Sequence, residues 1–280
     1  LGKKKREMSK AEFRRYCREY ALKFVAIQRD EFKRLGIMGD WENPYLTLAP
    51  EYEADIVRVF ATMIDKGLVY QSKKPVQWSY GAQTALAEAE VEYQDKVSSA
   101  IDVAFPFADQ QAAETLLGVN GVGELSVAIW TTTPWTLPAN RAISLHPELT
   151  YAIVEVQPSN EWLVVAQDLL ESCMNRYGVE DFREVATCTG AALDKLKVNH
   201  PFLDLEVPLI LGDHVTTESG TGCVHTAPGH GVDDFNVGAK YSLEVANPVG
   251  ANGVYMEGTE LFEKGGVFYS RRVGGRPFYY

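Results

Sequence analysis

At Lys74-Pro75 this 280-residue chain changes the period of its apolar residues, and that change limits the folds open to it. Before it, Phe13, Tyr16, Cys17, Tyr20, Phe24 and Ile27 recur three and four apart, so one face of a helix is predicted across residues 9–35. Ser9 supplies an N-cap and Glu12, three residues on, completes a capping box. A second helix is predicted over 51–70, with Ile56, Phe60, Met63 and Ile64 inward and Gly67 near its end; GIMGDWENP connects the two. After Lys74-Pro75, 76–78 reads as a strand and 84–90 as a short helix. Short β-type runs then dominate, at 101–105, 125–133, 142–145, 151–156, 162–165, 205–211 and 222–225. Helical stretches at 109–117, 167–177 and 233–241 interrupt them without regular alternation. The pattern is that of an α+β chain, with a seam near residues 85–95.

Charge is divided as unevenly as the periodicity. Residues 1–35 hold 12 Lys and Arg against 5 acids, and the remainder holds 15 against 33, so a net +7 precedes a net −18. An acidic body does not attract a polyanion, so any nucleic-acid contact must use the basic arm, local patches or another domain. No apolar run approaches the roughly 20 residues of a membrane helix, and no signal-type apolar region follows the basic start, so a cytoplasmic protein without membrane contact is expected. Cys17, Cys173, Cys188 and Cys223 form no CxxC pair and read as reduced thiols.

Two polar clusters carry the candidate chemistry. In WTTTPWTLPAN, residues 130–140, four threonine hydroxyls crowd beside two tryptophans. Threonine suits strands, so the plain reading is a β-branched segment stopped by Pro134, with Thr131 and Thr133 on one face and Thr132 on the other. In GTGCVHTAPGHGVDDF, residues 220–235, Gly220, Gly222, Gly229 and Gly231 frame His225, His230, Asp233 and Asp234. A metal site at His225, His230 and Asp234 would lack helical HExxH spacing, and a nucleophilic triad would lack a GxSxG elbow. A third reading is a pocket without covalent nucleophile, in which Asp234 pairs with a cation while hydroxyls and loop amides hold oxygen atoms.

WTTTPWTLPAN, ILGDHVT at 210–216 and GTGCVHTAPGHGVDDF together resemble the editing domain of the isoleucyl-tRNA synthetases. The threonine segment continues as Pro-Trp-Thr, unlike the Arg-Pro of the valyl and leucyl enzymes. GDWENPYLTLAPEYEADIVRVF and KPVQW with ALAEAEVEYQDK resemble the segment leading from the catalytic domain into that insertion, so roughly residues 6–260 are covered. The HIGH and KMSKS signatures are absent, Met8-Ser9-Lys10 being no substitute, so aminoacylation is not expected. Ser79 to Ala82 follow Trp78 where many members have WCxxC, so that zinc site is not expected either, nor any cofactor.

The resemblance implies an irregular β-barrel-like editing domain with peripheral helices over 91–265, a helical segment over 1–90 before it, and a tail of uncertain structure over 266–280. It implies hydrolysis of valine, by water, from the 3′ end of the isoleucine tRNA, with valyl-adenylate as a possible second substrate and the remaining synthetase domains as partners. Thr131, Thr132, Thr133, His225 and Asp234 are the implied catalytic residues. Asp234 would hold the α-ammonium, His225 would line the side-chain pocket, and the threonines would orient ester and water. Trp130, Thr136, Asn140, Gly222 and His230 are assigned to substrate binding, Trp130 as wall and Asn140 in support. His230 could instead only cap a turn; Asp233 is read as a helix cap and His214 as structural. A noncatalytic module that clamps the acceptor end stays open as the alternative, as does a metal-dependent hydrolase.

Overall fold

The computed structural model describes residues 7–95, 97–120, 123–159 and 161–259, in two compact units that divide between Ser72 and Lys73. The sequence reading draws its first boundary at 90/91 instead; its expectations for residues 3–6 and for the tail at 266–280 lie outside the described residues.

The first unit holds α1 (Lys10–Arg34) and α2 (Pro50–Asp65). The capping box forms as predicted: Ser9 Oγ accepts from the Glu12 amide at 3.3 Å while the Ser9 amide donates to Glu12 Oε2 at 2.9 Å. Pro50 begins α2, where its missing N–H costs nothing. The helix stops five residues short of the predicted Tyr70 because Gly67 adopts φ +69°, and the Gly67 and Leu68 amides turn back onto Ile64 and Met63 carbonyls at 2.8 and 3.0 Å. None of the described residues up to Ser72 is buried.

The second unit opens with a small antiparallel hairpin, β1 (Trp78–Ser79) and β2 (Thr84–Ala85). The helix predicted over 84–90 is therefore corrected: pairing with Trp78 and Ser79 extends Thr84 and Ala85, and only Glu88–Glu90 coils, as one 3-10 turn. The large sheet follows, with β3 (Ile101–Pro106), β4 (Glu124–Thr131), β5 (Ala142–Leu145), β6 (Thr150–Val156) and β7 (Glu161–Ala166). It is completed by β8 (Phe182–Thr189), β9 (Lys197–Asn199), β10 (Glu206–Leu211) and β11 (Cys223–Thr226). Helices α3 (Gln110–Leu117), α4 (Leu170–Tyr177) and α5 (Val232–Lys240) interrupt it.

Strand β4 organises the sheet. Along one edge it pairs antiparallel with β3; along the other it meets β7 beside its first residues and β11 at Trp130. From β11 the pairing runs through β5 and β10 to β9, and a bridge between Val198 and Phe107 returns it to the end of β3. Those strands thus form a ring, and β7, β6 and β8 extend from it as a wing. The fold is α+β with an irregular barrel, as expected. Phe105, Leu125, Ile129, Leu145, Ile153 and Leu163 are among the side chains excluded from water in one shared core. Asp102 on β3 lies in a buried fork with Arg176 of α4 at 2.6 and 2.9 Å and accepts from Tyr177 Oη at 2.8 Å, while Arg176 also donates to the Gly220 carbonyl at 3.2 Å. That contact braces the glycine loop ahead of β11.

Candidate functional site

The two polar clusters meet in one cleft of about 350 Å³. The register explains why: Val224 of β11 pairs with Trp130 of β4, so a segment near residue 130 and one near 225 leave the sheet side by side. Trp130, Thr131, Thr132, Thr133, Thr136, Gly222, His225, His230 and Asp234 all line this cleft; Asn140 stands behind His225. Gly220 and Gly222 have φ of +84° and +72°, and neither has space for a side chain. A Cβ at Gly220 would lie 3.0 Å from the Trp130 ring, and one at Gly222 2.3 Å from Ala166 Cβ.

The threonines do not alternate along a strand as expected. Strand β4 ends at Thr131, and Pro134–Ala139 coil into a 3-10 helix with Pro134 at its first turn. The bend at Thr132 and Thr133 folds the hydroxyls inward: Thr131 Oγ1 accepts from the Thr133 amide at 3.0 Å and lies 3.3 Å from Thr133 Oγ1. Thr136 Oγ1 donates to the Thr133 carbonyl at 2.7 Å, so its oxygen must accept from His225 Nε2, 2.8 Å away. On the other side of the ring, the Asn140 amide nitrogen donates to the Ala142 carbonyl at 3.0 Å and to His225 Nδ1 at 2.6 Å. This chain of donors sets one tautomer, with the imidazole hydrogen on Nε2. Burial drives the His225 pKa down to about 3, with His200 and His230 adding to the effect, so the ring is neutral at physiological pH. Both its nitrogens are committed to the fold.

Asp234 lies in the first turn of α5, where a negative charge is favourable. Its Oδ2 accepts from the Ala227 amide at 2.8 Å. Burial raises its pKa, opposed by that amide and by His214, and among the described residues no lysine or arginine forms an ion pair with it. A desolvated carboxylate that faces a cleft without a cationic partner favours a cation as guest. Asp233 does not cap α5 as predicted, because Gly231 is the N-cap and Asp233 is exposed in the first turn. His214, Thr216 and Ser219 also line the cleft, and sequence reasoning missed all three. Among the described residues, His214 Nε2 is buried without a hydrogen-bond partner, as is His230 Nε2; the ILGDHVT motif was the available signal. Cys223 is no nucleophile: its thiol is fully buried 3.9 Å from the Val164 carbonyl, and burial pushes its pKa well up. Among the described residues, no three His, Cys, Asp or Glu side chains converge as a metal would require.

Residues 1–188 match the family model for class I tRNA synthetases (I, L, M and V), and residues 108–277 match that for the leucyl-tRNA synthetase editing domain. The chain belongs to the class I tRNA synthetases. It is 55% identical over 274 residues to the isoleucine--tRNA ligase of Pseudoalteromonas atlantica and 54% identical over 264 residues to that of Thioalkalivibrio sulfidiphilus. These alignments cover 96% and 94% of the chain but only 29% and 28% of the relatives, so the chain spans less than a third of their length. A solved editing domain of the P. knowlesi cytosolic leucyl-tRNA synthetase is similar at TM-score 0.43 and 10% identity, covering 52% of this chain and 64% of that one. Both polar clusters of this class I synthetase chain fall inside the stretch that matches the editing-domain model.

Proposed function

We propose that the cleft hydrolyses the ester joining valine to the terminal adenosine of the isoleucine tRNA, with water as nucleophile and valyl-adenylate as a second substrate. The observation that carries this reading is the composition of the cleft wall. A carboxylate without an ion-pair partner among the described residues faces hydroxyls held in a fixed chain, and the buried thiol beside them cannot attack. Asp234 receives the α-ammonium of valine, which anchors the amino acid and lowers the carboxylate pKa that burial had raised. Thr132, whose side chain is exposed in the cleft, and Thr133 orient the water and the carbonyl oxygen; Thr131 holds their bend. Water adds to the carbonyl carbon and the bond to the ribose oxygen breaks; one proton of the water goes to the departing ribose oxygen, the other is released to solvent, and valine departs as its carboxylate.

His225 does not move that proton, since its two nitrogens are engaged and its ring stays neutral; it holds Thr136 in place and walls the side-chain pocket. One methylene is worth only about 1–3 kcal/mol in an apolar pocket, a general range whose reference case is the isoleucyl enzymes themselves and not a property read from this cleft. A second site that admits valine and excludes isoleucine supplies the remaining selectivity. In this reading editing belongs to residues 91–265, the remaining synthetase domains are partners, and the place of action is the cytoplasm. Single-turnover deacylation of valyl and isoleucyl esters of the isoleucine tRNA, with and without chelator, tests it. Loss of valine alone, indifferent to chelator and reduced at least a hundredfold by Asp234→Ala, is expected. Equal binding of both esters without cleavage, surviving Asp234→Ala, would sink it in favour of a noncatalytic clamp.

A further inference from the structure

A second cleft, of about 540 Å³, lies between the hairpin at 78–85 and the loop at 247–251, and it shares His230 as a wall with the threonine cleft. Its other walls are aromatic and open: Trp78, Tyr80 and Trp135 are 39%, 49% and 42% exposed although all three are large rings. Each is anchored, in its ring or in its backbone. Trp78 Nε1 donates to the Ala251 carbonyl at 2.8 Å, and the Trp135 carbonyl accepts from Tyr255 Oη at 2.7 Å. The Tyr80 ring lies against Gly253, where a Cβ would approach it to 3.0 Å. Trp135 meets the His230 ring edge-on at 5.4 Å, so one of these aromatics touches the residue that separates the clefts. Lys74 lines the mouth, a cation in a part of the chain whose net charge is strongly negative.

We propose that this second cleft is the subsite for the unpaired nucleotides that precede the terminal adenosine of the tRNA strand. Their bases stack on Trp78, Tyr80 and Trp135 while Lys74 meets a phosphate. Three exposed rings and one cation are what a single strand needs for sequence-tolerant binding, because every base has a face to stack and every linkage carries a charge. The strand's direction follows from the shared wall: an ester in the threonine cleft places the preceding nucleotide at His230, whose buried Nε2 has no hydrogen-bond partner among the described residues. The subsite rests on the ester-hydrolysis reading for its ligand, yet it also predicts binding of its own.

The test uses the 280-residue chain with isoleucine tRNA carrying 2-aminopurine at the position before the terminal adenosine, and with two esters, valyl-tRNA and valyl-adenosine. Stacking in the cleft is expected to quench the 2-aminopurine fluorescence, and Tyr80→Ala to abolish the quenching. The kcat/KM ratio of valyl-tRNA over valyl-adenosine should fall roughly tenfold in Tyr80→Ala and in Lys74→Glu, mainly through KM. Lys74→Glu should also flatten the salt dependence by about one unit of log-log slope. Lys74 is exposed, so its variant keeps the test open even where Tyr80→Ala loosens the loop at Gly253. No quenching at any protein concentration, or equal losses on both esters, would overturn the subsite, as would an unchanged ratio in both variants or quenching only by an added peptide. Quenching that depends on Tyr80, with neither ester hydrolysed by the parent protein, would keep the subsite and remove the hydrolytic reading.

Discussion

Two side chains set the tautomer of His225, and of the two only the Thr136 hydroxyl can reverse its role. Asn140 donates to Nδ1, so the ring's hydrogen lies on Nε2 and the Thr136 hydroxyl is turned toward the Thr133 carbonyl. In Asn140→Asp the carboxylate accepts instead, the hydrogen moves to Nδ1, and Nε2 becomes an acceptor that pulls the Thr136 proton away from Thr133. Deacylation is expected to fall about a hundredfold, the cost of a misplaced positioning group, with kcat and not KM affected. Ring-nitrogen NMR shifts of His225 should report the opposite tautomer and a raised pKa; an unchanged tautomer would refute the argument. Burial also makes the protein acid-sensitive. His225 and His200 have folded pKa values of about 3 and about 4, below the usual 6.5, so between pH 6.5 and 4 the unfolded chain binds more protons than the folded one. Stability is therefore complete above pH 6.5 and declines as pH falls, by about 1.4 kcal/mol per pH unit for each ring. Denaturant melts across pH 4–7 should show that slope, and His200→Gln should reduce it by about half.

Among elements, the strands from β3 to β7 and β10 to β11 were legible because their apolar residues come in short dense runs, and one such run, AISL at 142–145, is buried throughout. Strand β8 was not. FREVATCT carries strand-favouring Phe, Val and Thr, but as the last strand of the wing it is only half-buried to exposed and has no clean apolar alternation to mark it. The end of β4 was misjudged for another reason. Propensity continues through three threonines, but side-chain-to-backbone bonds at Thr131 and Thr136 turn the chain before Pro134. Thus the residue types of the cleft were readable while the bend that aims them was not. The glycines of the second cluster were readable as sites of tight turning and close approach, and the structure shows both at Gly222, which has φ +72° and no room for a side chain. In Gly222→Ala the new methyl would meet Ala166 at 2.3 Å in a left-handed conformation, so a loss of about 1–3 kcal/mol is expected in thermal or denaturant melts. A stability change below about 0.5 kcal/mol, the scatter of ordinary surface substitutions, would show that the loop moves aside.

At the scale of the whole molecule, the main core is drawn from residues between Ile101 and Cys223, all within the second unit. A chain beginning at Lys73 is accordingly expected to keep the principal thermal transition within a few degrees, measured by near-UV dichroism; loss of that transition would refute a self-sufficient core. The charge distribution read from the sequence also has its consequence here. An acidic body offers a polyanion few footholds, and the lysine at the second cleft is one of them. The bridge between Phe107 and Val198 has a different reach. A hoop has no slack end: whatever alters its girth at that far clasp must be shared by every stave, including the two that hold the threonines and the histidine. The shape of the threonine cleft can therefore be retuned from a place that never meets what the cleft holds.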